Sequence, residues 1–258
     1  MVRGLYTAYT GMVAEQNRLD VISNNLANSA TTGYKKKAIT NQAFQQMLAI
    51  KIRDGSEAYI DRGIGTMSLG TKTGEVYTDY TQGSLRETGN TYDLAIQGSG
   101  FFQVRVANNY GYNTMKYIRD GNFNYTSDGF VVDANGNHLQ GESGDIQIPT
   151  DTAEVAIKED GSIFADGVYL DRITLYDFED YDYLEQWGDN MYNPVNGATM
   201  IAATGTIIQG YTEQSNVNVV SEMVNMITVT RAYEAGQKTI QTIDSMLDKA
   251  VNSVGRLG

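Results

Sequence analysis

The two ends of the chain carry the strongest periodic pattern in the sequence. Residues 214–254 contain no proline and one glycine, Gly236. Apolar residues recur there at intervals of three, four and seven, the spacing of one helix face. Ser215 and Asn216 are candidates for the residue that caps the start of this helix. The pattern predicts a long helix over 216–254 with an apolar seam made of Val219, Met223, Met226, Tyr233, Ile240, Leu247, Val251 and Val254, widened by Val220, Val224, Ile227, Ile243 and Met246.

The opposite end repeats the pattern, with Leu5, Met12, Leu19 and Leu26 spaced by sevens. Ile22 lies at an intervening seam position, so we expect a helix over residues 3–28. Two seams at opposite termini can pair, which makes the rest of the chain an insertion between them. An ordinary two-helix hairpin inside a globular core is the alternative. Two amides near the end of the first helix, Asn24 and Asn25, fit either surface positions or hydrogen bonds that fix the register of a helix seam.

Between the helices the sequence is rich in tyrosine and punctuated by glycine, which favours strands and turns. Short apolar runs alternate with the turn dipeptides Asp128-Gly129, Asn135-Gly136, Asp160-Gly161 and Asp166-Gly167. The predicted class is therefore α+β: a discontinuous, coiled-coil-like helical domain from both termini, with an inserted, mainly antiparallel β domain. The expected boundaries are 1–35 for the N-terminal helix, 36–75 for a linker or extended arm, 76–215 for the β domain and 216–258 for the C-terminal helix.

Composition narrows the classes of partner. A formal net charge of -12 disfavours nucleic acid and anionic lipid as ligands. Cysteine is absent, which excludes disulfides and thiolate chemistry. No apolar stretch reaches membrane-spanning length, so direct membrane insertion is not expected. The amphipathic N-terminus does not resemble a cleavable secretion signal.

Three segments could carry chemistry, and each has a simpler interpretation. The lone histidine, His138, sits in a turn-like stretch without a nucleophile at a suggestive spacing, so we expect an exposed turn residue. Asp133 and its asparagine neighbours imitate the start of a calcium loop, but the glycine and glutamate required later in that loop are missing. The acidic run 176–187 fits a solvated outer loop. We therefore predict no catalytic residue, no metal ligand and no cofactor.

Four longer motifs resemble one family. LDVISNNLANSATTGYK (19–35) is similar to the N-terminal signature of the flagellar rod and hook proteins, the axial proteins of the bacterial flagellum. The C-terminal stretch SNVNVVSEMVNMITVTRAYEAGQKTIQTIDSMLDKAV (215–251) resembles the matching end of that family. GSLRETGNTYDLAIQGSGFFQV (83–104) and YIRDGNF (117–123) resemble internal family segments. The resemblance covers most of the chain and is weakest over residues 140–205.

The resemblance implies a structural, non-enzymatic subunit of the flagellar basal-body rod, which polymerises helically into a stiff hollow drive shaft that transmits torque and passes export substrates. The terminal helices would line the inner tube and the β domain would lie outside. Implied partners are further copies of the chain, other rod and hook proteins and the flagellar export apparatus. The implied location is the basal body, outside the cytoplasmic membrane, reached without a cleavable signal peptide.

The residues expected at subunit interfaces or in axial packing share the two seams: Leu5, Met12, Leu19, Ile22, Asn24, Asn25, Leu26, Val219, Met223, Met226, Ile227, Tyr233, Ile240, Ile243, Leu247 and Val251. Within the family, a proximal rod or hook-type protein is the alternative. Outside it, the alternative is a secreted β-rich adhesin or binding module with a helical stalk, which would not need seam-forming helices at both ends.

Overall fold

The computed structural model describes residues 2–45, 47–50, 63–68, 70–107, 113–188 and 190–254. Much of the predicted arm, including 51–62, lies outside the described residues, as does the C-terminal tail 255–258. The chain divides into two units. Unit 1 comprises residues 1–27, 37–78 and 218–258, and unit 2 comprises residues 28–36 and 79–217.

Unit 1 contains the two long helices, α1 (Val2–Ala27) and α2 (Val219–Lys249), with a π-helical turn over Ala250–Val254 after α2. The start of α2 is capped by Asn218, whose side chain accepts a hydrogen bond from the amide of Ser221 at 3.0 Å. The prediction that Ser215 or Asn216 would provide this cap is wrong. Both residues lie in unit 2, where Asn216 bonds to other backbone groups.

The two helices pack against each other in antiparallel directions. Gly4 in α1 lies beside Ile243 in α2, and Met12 lies beside Gly236. A Cβ atom on Gly236 would come within 2.7 Å of Met12 Cγ, so this glycine sets how closely the helices approach.

A second set of contacts joins α1 to two strands of unit 1, β1 (Lys37–Ala43) and β4 (Thr71–Thr78), which pair as an antiparallel ribbon. β2 (Met47–Ile50) and β3 (Gly63–Met67) form a second antiparallel ribbon. Asn25 is buried, and its amide exchanges two hydrogen bonds of 2.7 and 2.9 Å with the backbone of Lys37 at the start of β1. These two bonds join a helix to a strand. An isolated two-stranded ribbon is only marginally stable in water, so contacts with α1 stabilise the β1–β4 ribbon.

Unit 2 is built from short antiparallel strands and a 3-10 turn at Tyr181–Tyr183. The strands are β5 (Leu85–Glu87), β6 (Leu94–Gln97), β7 (Phe101–Ala107), β8 (Asn113–Ile118), β9 (Asn124–Tyr125), β10 (Val131–Val132), β11 (His138–Leu139), β12 (Val155–Ile157), β13 (Ser162–Ala165), β14 (Val168–Arg172), β15 (Leu175–Phe178), β16 (Leu184–Trp187), β17 (Met191–Pro194), β18 (Met200–Ala202), β19 (Thr206–Gln209) and β20 (Tyr211–Glu213).

The four turn dipeptides connect neighbouring antiparallel strands of unit 2. They lie between β9 and β10, β10 and β11, β12 and β13, and β13 and β14. In each of them the glycine has a positive φ, between 80° and 87°, which a side chain would disfavour. The mixed α+β class predicted from the sequence is confirmed.

The central sheet of unit 2 separates two apolar clusters. Nine of the described strands form it, in the order β16-β17-β8-β7-β11-β10-β9, with β15 paired to the first half of β7 and β18 paired to β15. Because side chains alternate along a strand, β7 contributes Phe102, Val104 and Val106 to one face and Phe101 to the other. The first face holds the larger aliphatic core, and the second holds a cluster of aromatic rings that includes Tyr117, Phe178 and Tyr192.

The close approach at Gly236 yields a prediction. We expect Gly236→Leu to destabilise the packing of α1 against α2 by about 1–3 kcal/mol, because the new side chain must displace Met12. Gly11→Leu is the matched control, since a Cβ at Gly11 meets nothing within 4 Å. Both changes replace a helical glycine and gain the same helix propensity, so their difference isolates packing. Thermal melting of the helical circular dichroism signal measures it, and equal melting of the two variants would contradict the packing described.

Candidate functional site

The predicted interface residues of α2 and of the π-helical turn that follows it differ in burial. Five of them are partly buried: Met226, Tyr233, Ile240, Ile243 and Leu247. The other four are exposed: Val219, Met223, Ile227 and Val251. The partly buried group includes Ile243, which contacts Gly4 of α1, so this group lies on the side that faces the other helix.

The predicted residues of α1 are mostly covered within unit 1. Leu5, Met12, Leu19 and Leu26 are partly buried, Ile22 and Asn25 are buried, and Asn24 is exposed. Three large side chains on this helix, Tyr6, Tyr9 and Val13, are exposed instead. The heptad pattern did not include them, although their spacing of three and four residues could have identified a second apolar face.

The first turns of α2 present an exposed apolar surface that we call the α2 stripe: Val220, Met223, Val224 and Ile227. The exposed fractions are 72, 48, 58 and 54%. The spacing i, i+3, i+4, i+7 places all four on one helical face. Scattered exposed apolar residues are ordinary, but a contiguous set on one face is characteristic of surfaces that associate with a protein.

Unit 2 contains a buried group of ionised side chains that we call the charge cluster: Lys35, Arg119 and Glu213. Lys35 Nζ lies 2.6 Å from Glu213 Oε1, and Arg119 Nη1 lies 3.1 Å from Glu213 Oε2. The exposed fractions of the three residues are 2, 4 and 1%. One carboxylate therefore compensates two buried cations.

The members of the charge cluster lie in or beside three different motifs of the sequence. Lys35 ends the N-terminal motif, Arg119 lies in YIRDGNF, and Glu213 lies two residues before the C-terminal motif, which begins at Ser215. Three segments that are far apart in the chain therefore meet at one buried point.

Backbone hydrogen bonds surround the charge cluster and join the segments at which the chain enters and leaves unit 2. Lys35 Nζ also donates to the carbonyl of Thr81, at 2.9 Å. Glu213 Oε1 also accepts from the amide of Gly83, and its backbone carbonyl accepts from Gly33. Asn216 accepts from the amide of Lys36 and donates to the carbonyls of Asp79 and Thr81.

Burial perturbs the titration of two groups in or beside this region. Desolvation lowers the pKa of Lys35, while the neighbouring Glu213 carboxylate acts in the opposite direction. Desolvation also raises the pKa of Asp120, although Thr32 donates a hydrogen bond of 2.7 Å to its carboxylate. Glu213 accepts from a lysine, an arginine and an amide, so its lone pairs serve the structure rather than a reaction.

The remaining candidate residues have structural roles in unit 2. The expectation that His138 is an exposed turn residue is wrong: it lies in β11, partly buried, with Nδ1 3.4 Å from Asp145 Oδ2. The turn ends just before it, where Asp133 Oδ1 accepts hydrogen bonds from the amides of Asn135 and Asn137. In the acidic run, Asp177 is buried and accepts a hydrogen bond of 2.8 Å from the hydroxyl of Tyr181.

Two further observations concern the described ranges as a whole. Within them, no three His, Asp or Glu side chains are grouped as metal ligands would be. No helix in the same ranges combines the length and apolar character needed to cross a bilayer.

The close backbone approach beside the charge cluster yields a second prediction. A Cβ on Gly83 would lie 1.9 Å from the carbonyl oxygen of Gln214. Because both sides of this contact are backbone, we expect Gly83→Ala to displace the C-terminal segment and to lower the unfolding midpoint of unit 2. Ser84→Ala, at the next and exposed position, is the control and should change little. Urea unfolding followed by the fluorescence of Trp187, the single tryptophan, reports unit 2, and a wild-type midpoint for Gly83→Ala would refute the contact.

The aromatic cluster yields a prediction in alkali. Burial, followed by the hydrogen bond to Asp177, raises the pKa of Tyr181 from 10.0 to about 12. Since the pKa is higher in the folded state, the protonated phenol contributes stability that is complete below pH 10 and is lost as the pH rises towards 12. Absorbance titration should therefore show a late-ionising tyrosine that is missing in Tyr181→Phe. An unchanged alkaline end of the curve in that variant would show that Tyr181 ionises normally.

Family models of known proteins match segments of the chain that overlap the sequence motifs, in the same order. Residues 5–35 match the family model "Flagella basal body rod protein", residues 95–165 match "Flagellar hook protein FlgE/F/G D1 domain", and residues 208–253 match "Flagellar basal body rod FlgEFG protein C-terminal". The charge cluster draws one residue from the first match and one from the last.

Full-length relatives agree with these matches. The flagellar basal-body rod protein FlgG of Agrobacterium fabrum is 36% identical over 95% of this chain and 97% of its own length. FlgG of Bacillus subtilis is 35% identical over 98% of this chain and 99% of its own length. The flagellar basal-body rod protein FlgF of Caulobacter vibrioides is 32% identical over the whole of both chains. The chain belongs to the family of flagellar basal-body rod and hook proteins, and within that family it is similar to the distal rod protein.

Proposed function

We propose that this protein is a structural subunit of the flagellar basal-body rod, whose copies polymerise helically into a stiff hollow shaft. The shaft transmits torque and passes export substrates. The observation that carries the proposal is the α2 stripe, an apolar helix face left exposed in a chain whose relatives are named rod proteins. The similarity of the chain to the distal rod protein favours a distal rod position over a proximal rod or hook-type role.

Exposed apolar faces on both helices support association through unit 1. On α2 the exposed face is apolar only over its first turns, and farther along the helix exposed residues include Glu234, Lys238 and Asp248. On α1, Tyr6, Tyr9 and Val13 add a second exposed face. Neighbouring copies that cover these faces would gain about 25 cal/mol for each Å² of apolar surface removed from water. Unit 1 thus acts as a discontinuous, coiled-coil-like axial domain, made from both termini and lining the inner tube.

Unit 2 has the opposite character, because it buries two apolar clusters of its own. It can therefore serve as the outer domain, with lateral contacts to neighbouring copies. In this scheme the axial helices are α1 and α2, within the predicted segments 1–35 and 216–258, and the arm is 36–75. The outer domain is the predicted segment 76–215 together with residues 28–36, which lie in unit 2. The sixteen predicted seam residues then divide between contacts inside one copy, such as Ile243, and contacts between copies, such as Ile227.

Partners and location follow from the same role. The subunit contacts further copies of itself and other rod and hook proteins in the basal body. It reaches the rod through the flagellar export apparatus and assembles outside the cytoplasmic membrane. Its role is structural rather than enzymatic and requires no cofactor, in keeping with relatives that are named rod proteins. A secreted adhesin is not favoured, because the relatives that span nearly the whole chain are rod proteins.

The α2 stripe gives the test of this function. We expect Ile227→Asp to leave the monomer folded, because this side chain is already 54% exposed. Assembly should fail, because each interface would desolvate an unpaired carboxylate at a cost of several kcal/mol. Thr239→Asp is the control: it adds the same charge at an exposed position of α2 beyond the stripe and about 120° from Ile227 around the helix, and should still assemble.

The measurement pairs thermal melting of the monomer with sedimentation of polymer at matched protein concentration. An unchanged melt without sedimenting polymer for Ile227→Asp, beside normal polymer for Thr239→Asp, is the expected result. Normal polymer from both variants would exclude the α2 stripe as an interface.

A further inference from the structure

The members of the charge cluster are separated widely and unequally along the chain. Glu213 follows Lys35 by 178 positions and Arg119 by 94 positions. Both cations therefore precede the carboxylate that compensates them. Any partly formed unit 2 in which residues 213–216 have not yet docked must place Lys35 and Arg119 near each other without Glu213.

Such an intermediate is electrostatically unfavourable. Each of the two cations acts on the other in the folded unit, where the charge of Arg119 further lowers the pKa of Lys35. The nearby carboxylate of Asp79 acts on Lys35 more weakly than Glu213 does. Removing one partner of a buried ion pair is strongly destabilising, because the remaining charge stays desolvated and unpaired.

The segment that brings Glu213 also completes the backbone of unit 2. The carbonyl of Glu213 accepts a hydrogen bond of 2.8 Å from Gly33, and the amide of Gln214 donates one of 2.9 Å to Ser84. β20 pairs with β5, and Asn216 joins Lys36 to Asp79 through its side chain. The counter-ion and the last backbone hydrogen bonds therefore arrive together.

We propose that the charge cluster makes the folding of unit 2 conditional on the docking of its C-terminal segment. Apolar side chains could fill the same volume with equal or greater stability, because buried ion pairs gain little over well-packed apolar groups. Three apolar residues would, however, permit the rest of unit 2 to fold before residues 213–216 were in place. The ionised cluster prevents this, which suits a chain that must stay unfolded until all of it has passed through an export channel. That last point rests on the proposed export route.

The first experiment compares full-length variants by urea unfolding, followed through Trp187 fluorescence. Glu213→Gln should lower the folding equilibrium constant about a hundredfold or more, because both cations lose their carboxylate. Adding Lys35→Met to Glu213→Gln should restore part of this loss. The triple variant Lys35→Met, Arg119→Met, Glu213→Leu should restore at least tenfold relative to Glu213→Gln. Recovery that increases as buried cations are removed is the signature of an uncompensated charge.

The second experiment follows the order of folding in the wild-type chain by pulse-labelled hydrogen exchange. The amides of Gly33 and Gln214, which bond across the docked segment, should gain protection after the amides that pair β7 with β8. Either of two results overturns the proposal. In the urea experiment, it is the finding that the variants without the cations are as unstable as Glu213→Gln or do not fold. In the exchange experiment, it is protection of the amides of Gly33 and Gln214 as early as those of the central sheet. Neither readout involves assembly, so failure here leaves the rod function standing.

Discussion

The carboxylate of Glu213 is held out of water between two cations, and the ends of unit 2 are arranged around that constraint. A buried carboxylate requires compensating charge and donors for its lone pairs. Lys35, Arg119 and the amide of Gly83 supply them within 3.1 Å. To do so, the N-terminal motif, the YIRDGNF motif and the C-terminal segment must all reach one point. Segments that are remote in sequence are thus brought together to supply opposite charge and hydrogen-bond donors to one desolvated carboxylate.

The two units manage apolar surface in opposite ways. Unit 2 buries apolar side chains on both faces of its central sheet, with Phe101 in the cluster on one face and Phe102 in the cluster on the other. Unit 1 covers one side of each helix and leaves apolar residues on another side exposed, as at Val220 and Tyr9. This division suits a polymer. Each copy would fold its β unit independently, and the exposed apolar residues of its helical unit would be buried against neighbouring copies.

Some of the molecule could be predicted from local pattern alone. The seven-residue spacing of Leu5, Met12 and Leu19 identified a helix, because helix periodicity is a local property. The glycine turn dipeptides likewise marked the strands that they connect. The pairing of β1 with β4, and the bonds from Asn25 to Lys37, were not predictable, because a register between distant segments leaves no periodic trace. The charge cluster was missed for the same reason, because only the fold places Lys35 beside Glu213.

The central claim is that the apolar faces of unit 1 become buried between copies of this chain in a helical polymer. Electron cryo-microscopy of filaments grown from the purified protein at high concentration tests it most directly. We expect a hollow filament in which Val220, Met223, Val224 and Ile227 contact helices of neighbouring copies, while the strands of unit 2 lie farther from the axis. A filament in which these four side chains face solvent, or a protein that forms no filament under conditions where unit 2 is folded, would contradict it.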